Sequence, residues 1–442
     1  MIQQRFMQLS IAQSLLHHRV VLNWVQSAFH SVLIGRIGRS VSVRYCPRKD
    51  LAVRYIALAA LLLTPSASQS ETPLDQRIHR VETSLMPAQI SKGETVPKWT
   101  IAERMAHYNV VGVSVAVIDN YAIHWAKGYG TLAKDNHRPV TTETLFQAGS
   151  ISKPVAATAA LHLVEAGHLS LDEDVNRKLK SWHVPENEFT RGQKVTLRRI
   201  LSHSAGLTVH GFPGYAVDEP VPTLIEILDG KKPANTPPIR VDLVPGSTER
   251  YSGGGYTIMQ LLLSDVAGEP FPQLLKSTVL EKIGMQHSTY QQPLPPDWAK
   301  DAASGYRPNG EPVAGKWHVY PEMAAAGLWT TASDLARFVI ELQESREGRS
   351  NRVLSREMTN QMLTRQIDGA GLGLMLGGTD QAPRFNHGGA DEGFQAFLIG
   401  TLDSGKGAIV MANSDNGISL AQEILLSIAA EYGWPDYKPR ER

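Results

Sequence analysis

VGVSVAVI, residues 111–118, is an unbroken run rich in β-branched residues that ends at Asp119-Asn120. Such a run, bounded by turn residues, predicts a β-strand that enters a hairpin, and Tyr121 to Tyr129 is its expected partner strand. Residues 394–400 and 407–412, near the other end of the chain, show the same strand character. Strands at both ends predict one sheet built from the two ends of the chain.

Helical patterns fill most of the remaining sequence. Residues 150–167 are rich in Ala and Leu at helical spacing. Further predicted helices lie within 72–110 and at 196–202, 222–229, 256–268, 333–343 (with Ser333-Asp334 as N-cap) and 417–431. We therefore predict an α/β (α+β) fold whose sheet part comes from about 69–165 and 330–442. A mostly helical insertion, about 166–329, interrupts it.

The composition limits the possible classes of protein. The chain is 42% hydrophobic and 20% charged, with a net charge of +1 and one cysteine, Cys46. These values exclude disordered, collagen-like and multi-span membrane proteins, and they argue against a nucleic-acid partner. One cysteine excludes a disulfide scaffold and a zinc site built on several thiolates. We expect no metal and no other cofactor.

The first 68 residues form a basic leader, with eight basic residues and one acidic residue. Within about 51–68, nine apolar residues follow Arg54 and precede small residues at Ser66 and Ser68, as in a secretory signal peptide. Nine residues are too few to span a hydrocarbon core of about 30 Å. We expect translation to begin near Val53 and the protein to be secreted or periplasmic. An organellar transit segment or an uninformative extension are the alternatives.

The first candidate for chemistry is Ser150-Ile151-Ser152-Lys153, at the start of a predicted helix. One helical turn places the Lys153 ammonium on the same face as the Ser150 hydroxyl, and a serine needs such a neighbour to become a nucleophile. Taken alone, the pattern also fits a capping serine and a solvated lysine.

Two further candidates accompany it. Tyr251-Ser252-Gly253 lies in a glycine-rich loop that leads into a helix at Tyr256, and a nearby cation such as Lys153 could make its phenol a usable base. His387-Gly388-Gly389-Ala390 lies between predicted strands, where its glycines would let a substrate approach the backbone. A tyrosine over a turn and a histidine satisfied in a loop are the structural alternatives.

Two rival sites are weaker. Ser202-His203-Ser204-Ala205-Gly206 lacks the first glycine of a G-x-S-x-G elbow and follows a helical rather than a strand pattern, which disfavours Ser204 as nucleophile. His203 and His210 have no carboxylates at useful spacing, and no H-E-x-x-H pattern is present, which disfavours a catalytic metal.

The order S-x-x-K, then Y-x-x, then H-x-G resembles the pattern of the serine β-lactamase and penicillin-binding-protein superfamily. Two further segments resemble class C-related members of it: LSHSAGL (201–207) and GLWTTASDL (327–335). YSGGGY (251–256) and HGGADEGF (387–394) match variants of the second and third motifs. The resemblance covers about residues 100–435 and includes S12-type peptidases and family VIII esterases.

This resemblance implies a β-lactamase/transpeptidase-like fold, with an antiparallel sheet flanked by helices and a mostly helical second domain. It implies Ser150 as the acylated nucleophile, Lys153 as its proton partner and Tyr251 as the general base. The oxyanion hole would be formed by the N–H groups of Ser150 and Ala390. Substrate-binding positions would be His387, Gly388, Gly389, Ser252 and Gly253.

Two departures from the pattern bear on the substrate. Gly253 stands where many relatives have asparagine, and His387-Gly388-Gly389 replaces K-T-G. A histidine of ordinary pKa is mostly neutral at pH 7, so we expect weak β-lactamase activity at most. The expected partner is a small-molecule or peptide substrate, cleaved at an amide (as by D-aminopeptidases) or an ester. A binding protein or sensor that is acylated without turnover is the alternative, and the oligomeric state is left open.

Overall fold

The computed structural model describes residues 72–442. The basic leader and its signal-like segment lie outside the described residues. Glu71–Arg442 form one compact unit. Within the described part of the chain, no helix is both long and apolar enough to cross a bilayer.

The strands of this unit are short except for those at the centre of the main sheet. In chain order they are β1 (Gln89–Ile90), β2 (Gly112–Asp119), β3 (Ala122–Ala133), β4 (Asn136–Pro139), β5 (Phe146–Gln147), β6 (Trp329–Thr330), β7 (Met375–Thr379), β8 (Ala382–Asp391), β9 (Phe394–Thr401), β10 (Gly407–Ala412) and β11 (Arg440–Glu441).

The helices cluster in the middle of the chain and at its two ends. They are α1 (Pro73–Glu82), α2 (Ile101–Tyr108), α3 (Ser152–Glu165), α4 (Leu197–Leu201), α5 (Leu224–Asp229), α6 (Gly253–Ala267), α7 (Phe271–Leu275), α8 (Pro296–Ala299), α9 (Met323–Ala326), α10 (Ala332–Arg346), α11 (Arg356–Met362) and α12 (Gly417–Glu431). Three 3₁₀ turns (Gly149–Ile151, Val175–Arg177, Glu188–Thr190) and a π-helical turn (Lys276–Leu280) complete them.

The main sheet has seven strands in the order β4-β3-β2-β10-β9-β8-β7. Every neighbouring pair is antiparallel. The run 111–118 becomes β2, which pairs with its hairpin partner β3 and with β10 from the far end of the chain. The prediction of one antiparallel sheet, built from both chain ends and flanked by helices, is confirmed.

Both faces of β2 are covered, which explains why its sequence is apolar without alternation. Val113, Val115 and Val117 share one buried cluster with side chains of α12, including Ile424. Alternate residues such as Ala116 belong to the other cluster, together with side chains of α10. Because α10 and α12 pack on opposite faces, the sheet lies between two helical layers.

Three local expectations are wrong in detail. Helix α10 is capped by Thr331, whose side chain accepts a hydrogen bond from the Asp334 N–H, and not by Ser333. His387 does not lie between strands but within β8, which was not predicted because Gly388-Gly389 disfavours strand structure. Helix α6 begins at Gly253, three residues before the predicted start at Tyr256, because Ser252 caps it.

Candidate active site

Ser150 and Lys153 lie at the N-terminal end of α3. Ser150 is half-buried in the 3₁₀ turn that leads into the helix, and Lys153 is 1% exposed. The Lys153 Nζ donates hydrogen bonds to Ser150 Oγ and to the Ala325 carbonyl oxygen of α9, each at 2.8 Å. The ammonium is therefore held against the hydroxyl, as the one-turn spacing predicted.

The turn that carries Ser150 is fixed from several sides. Ser152 Oγ donates to the Gly149 carbonyl oxygen at 2.6 Å and accepts from the Leu328 N–H at 2.9 Å. The Tyr290 hydroxyl donates to the Ser152 carbonyl oxygen at 2.6 Å. Ser152 is thus a structural member of the S-x-x-K segment, whereas Ser150 keeps its hydroxyl next to Lys153.

Tyr251 completes a group of side chains around Lys153. The ammonium lies 4.9 Å from the centroid of the half-buried Tyr251 ring. A cation at that distance is attracted by the electron-rich face of the ring. The structure therefore brings Ser150, Lys153 and Tyr251 together, although they are separated in sequence.

Three histidines surround the Tyr251 ring. His203 stacks on it, with ring centroids 4.2 Å apart and an interplanar angle of 30°. His210 and His387 are tilted, with centroids at 4.9 Å and 6.2 Å. Burial is the main cause that lowers the pKa of His203 well below its usual range, followed by the charge of Lys153. The stacked imidazole is therefore neutral at pH 7.

His387 is also a neutral ring. Burial, followed by the charge of Lys153, lowers the pKa of His387 to about 4. Its Nδ1 lies 2.6 Å from the Gly388 carbonyl oxygen, so Nδ1 carries the proton and donates it there. Its Nε2 is buried and has no hydrogen-bond partner among residues 72–442. The third motif therefore presents an acceptor nitrogen rather than a cation.

Strand β8 contacts the turn that carries Ser150 so closely that glycine is required at two positions. A Cβ on Gly389 would lie 1.9 Å from the Ala148 carbonyl oxygen. A Cβ on Gly149 would lie 2.4 Å from the Ala390 nitrogen, and Gly149 has a left-handed φ of 51°. This packing puts the Ala390 backbone beside the Ser150 turn, where the resemblance implies an oxyanion hole.

Ser252 and Gly253 are used to build the start of α6. Ser252 Oγ donates to the Thr208 carbonyl oxygen at 2.8 Å and accepts from the Gly255 N–H at 3.1 Å. A Cβ on Gly253 would lie 3.0 Å from Phe212, so the phenyl ring occupies the space of a side chain there. Gly388 is less constrained, since its hypothetical Cβ is 3.7 Å from its nearest neighbour.

The sequence did not point to two buried carboxyl groups near this site. Glu322 and Asp391 are 0% and 6% exposed, and neither carboxylate accepts a hydrogen bond among the described residues. Burial raises the pKa of Glu322 to about 8 and raises the pKa of Asp391 well above its usual range. Asp391 lies within the matched segment 387–394 and Glu322 lies shortly before the segment 327–335, but only the folded chain shows that they are buried.

The rival nucleophile lacks a base. Ser204 is 4% exposed, and its Oγ is hydrogen-bonded to Ser202 Oγ at 2.9 Å. Ser202 in turn donates to the Arg198 carbonyl oxygen at 2.8 Å. The segment 201–207 instead supplies His203 to the ring cluster around Tyr251, which His210 and His387 complete. The sequence pattern of this segment did not indicate that role.

The sequence of this chain is similar to those of known proteins. The profile of the family named Beta-lactamase matches residues 99–431. A β-lactamase of Pseudomonas fluorescens is 30% identical over 245 residues, which cover 54% of this chain and 62% of that protein, less than two thirds of its length. Penicillin-binding protein 4 of Amycolatopsis lactamdurans is 25% identical over 345 residues, covering 73% of this chain and 86% of that protein.

A solved structure agrees with these matches. The octameric penicillin-binding protein homologue from Pyrococcus abyssi superposes with a TM-score of 0.63 at 25% identity, covering 77% of each chain. The β-lactamase/transpeptidase-like fold predicted from the motifs is thus confirmed. The match over most of the described residues shows that the chain belongs to the β-lactamase family of serine hydrolases.

Proposed function

We propose that this protein hydrolyses an amide or ester through an acyl-enzyme formed on Ser150. The observation that carries the proposal is the 2.8 Å hydrogen bond from Lys153 Nζ to Ser150 Oγ. Because Lys153 also donates to the Ala325 carbonyl oxygen, its ammonium has a defined position. A fixed ammonium against a serine hydroxyl favours the alkoxide that attacks the substrate.

In the proposed mechanism, acylation and deacylation each transfer one proton. Ser150 Oγ attacks the substrate carbonyl carbon while its proton passes to Tyr251, the proposed base, beside Lys153. The N–H groups of Ser150 and Ala390 stabilise the oxyanion. When the carbon–nitrogen or carbon–oxygen bond breaks, Tyr251 returns the proton to the leaving group. Water then attacks the ester on Ser150, and the same groups move its proton back to Oγ.

The neutral third motif narrows the substrate class. A lysine in that position would attract the carboxylate of a β-lactam, whereas His387 is uncharged and offers an acceptor nitrogen. We therefore propose substrates with an uncharged or donor-bearing group there, such as peptides, D-amino-acid amides or short esters. β-Lactams would be turned over weakly.

Labelling with a fluorophosphonate probe tests the nucleophile. We expect the wild-type protein and Ser204→Ala to be labelled and Ser150→Ala to remain unlabelled, since Ser204 lacks a base. Labelling of Ser150→Ala at the wild-type rate would remove Ser150 as the nucleophile. Pre-steady-state kinetics with p-nitrophenyl esters then separates a hydrolase from an acylated sensor, because a burst without later turnover indicates a sensor.

The organisation of the whole chain is part of the same proposal. We propose export to a secreted or periplasmic location through the segment of about 51–68, with a two-part catalytic body whose insertion is about 166–329. N-terminal sequencing of the protein from its native cells tests the export step. A mature N-terminus far upstream of Ser66 would contradict it.

A further inference from the structure

His203 contacts the residues on both sides of Tyr251 as well as the Tyr251 ring. Its carbonyl oxygen accepts from the Arg250 N–H at 2.7 Å, and its Nδ1 accepts from the Ser252 N–H at 3.1 Å. Because Nδ1 is an acceptor, the ring proton is on Nε2. The backbone before Tyr251, the backbone after it and its side chain are thus all held by one residue.

The His203 backbone is itself in an uncommon conformation. Its φ is 55°, in the left-handed region, immediately after α4, where its N–H donates to the Ile200 carbonyl oxygen at 3.1 Å. Non-glycine residues adopt this conformation at a cost, and they persist in it where the surroundings require it. Here the conformation turns the imidazole face onto Tyr251.

We infer that His203 is a positioning residue that holds the Tyr251 phenol over Lys153. The inference rests on the proposed role of Tyr251 as base. The titratable groups facing the His203–Tyr251 pair are Lys153, His210, His387 and Tyr256, whose ring centroid lies 5.3 Å from that of His203. Because the His203 imidazole is neutral, it adds no second cation near Lys153. It can therefore orient the Tyr251 phenol without repelling the Lys153 ammonium.

Two substitutions separate the two contacts of the ring. His203→Asn keeps an acceptor and tolerates the left-handed conformation but removes the stacking face, whereas His203→Phe keeps a flat ring and removes the acceptor. We expect each to lower kcat by about tenfold or more with little change in KM. The exposed His183→Asn is the matched control.

Thermal unfolding shows whether each variant is folded. If His203→Phe does not fold, His203→Asn alone still tests the inference. An unchanged kcat in folded His203→Asn would overturn the inference. A lower melting temperature with a change in KM and none in kcat would also overturn it, since that result indicates a purely structural role. Failure of Ser150 labelling in the wild type would instead overturn the proposed function.

A second, independent feature lies on the opposite face of the sheet. A cavity of about 620 Å³ is formed by β7, β8, β9, α12 and the C-terminal tail. Side chains alternate along β8, so Arg384 and Asn386 face this cavity while His387 belongs to the ring cluster around Tyr251. The cavity is therefore separate from the candidate active site.

The cavity is lined by cations that lack acidic partners. Arg384 is 6% exposed, yet it forms no ion pair among residues 72–442 and its Nη1 has no hydrogen-bond partner there. Its Nη2 donates only to the Pro435 carbonyl oxygen, at 3.1 Å. Lys438 and Arg440 also line the cavity, and the carboxylate of its one acidic residue, Asp436, accepts from Thr379 Oγ1 at 2.6 Å.

A buried guanidinium without a carboxylate is costly, and an anion would compensate it. We propose that this cavity binds a small oxyanion, a carboxylate or a phosphate, between Arg384 and the cationic tail. The amides of Asn386 and Gln422, which also line the cavity, supply further donors. An anion bound there would be held by charge-assisted hydrogen bonds.

Isothermal titration of the full chain with citrate and, separately, with inorganic phosphate tests this site. We expect saturable binding of at least one of them, weakened about tenfold or more by Arg384→Gln and by Lys438→Gln. The exposed Arg191→Gln should bind as the wild type does. The Lys438 variant keeps the test valid if Arg384→Gln unfolds. No saturable binding of either anion, or equal binding by wild type and Lys438→Gln, would overturn the proposal.

Discussion

The Nδ1 of His387 lies 2.6 Å from the carbonyl oxygen of Gly388, so the one proton of this ring is committed to its own backbone. The other nitrogen, Nε2, is left as a buried acceptor. Burial and the charge of Lys153 both oppose a second proton and lower the pKa of His387 to about 4. The third motif therefore stays uncharged throughout the neutral pH range.

This relationship predicts the effect of introducing a cation at position 387. His387→Lys should raise kcat/KM for a carboxylate-bearing cephalosporin by about tenfold relative to a neutral p-nitrophenyl ester, because opposite charges then attract. The ratio of the two rates is the measurement, since it cancels differences in active fraction. His387→Gln, which is uncharged, is the control. A ratio that is equal in the Lys and Gln variants would contradict the argument.

Removal of the proposed base or of the neighbouring cation should cause a large loss of activity. Tyr251→Phe removes the proton acceptor and Lys153→Ala removes the ammonium 4.9 Å from the Tyr251 ring. Each should lower kcat/KM by about 10²–10⁴-fold, the usual value of a positioned acid–base group. Single-turnover acylation with a p-nitrophenyl ester measures the loss directly. Rates near those of the wild type in both variants would refute the assignment of Tyr251 as base.

Local patterns were enough to predict the central strands of the sheet and one helix that covers it, because β2, β10 and α12 each carry their signal within one segment. Helix α12 was predicted at 417–431 and occupies Gly417–Glu431. Strand β8 was missed, because Gly388-Gly389 disfavours a strand unless another backbone must approach, and that approach by Ala148 is a tertiary event. The stacking of His203 on Tyr251 likewise joins residues far apart in sequence.

The close approach at Gly389 predicts a steric defect. A Cβ there would lie 1.9 Å from the Ala148 carbonyl oxygen, so Gly389→Ala must push β8 away from the turn that carries Ser150. We expect slower labelling of Ser150 by a fluorophosphonate and a lower melting temperature. Gly377→Ala, in β7 with open space around its hypothetical Cβ, is the matched control. Wild-type labelling by Gly389→Ala would show that the backbone adapts without disturbing the site.

The buried Glu322 predicts how stability depends on pH. Burial raises the pKa of Glu322 from 4.5 to about 8, so between these values the native state keeps a proton that the unfolded state has lost. Stability therefore falls as pH rises through this window. Asp391 contributes in the same direction, while the depressed pKa values of His203 and His387 act oppositely, but only below about pH 6.5.

Between pH 6.5 and 8, Glu322 and Asp391 therefore change the stability with pH more than His203 and His387 do. Glu322→Gln should gain stability relative to the wild type as pH rises from 6.5 to 8.5, because the amide never has to bury a charge. Denaturant unfolding at both pH values measures the difference, and the exposed Glu357→Gln is the control. If the free-energy difference between Glu322→Gln and the wild type is the same at both pH values, Glu322 is not protonated in the native state at pH 6.5, and its burial is compensated in another way.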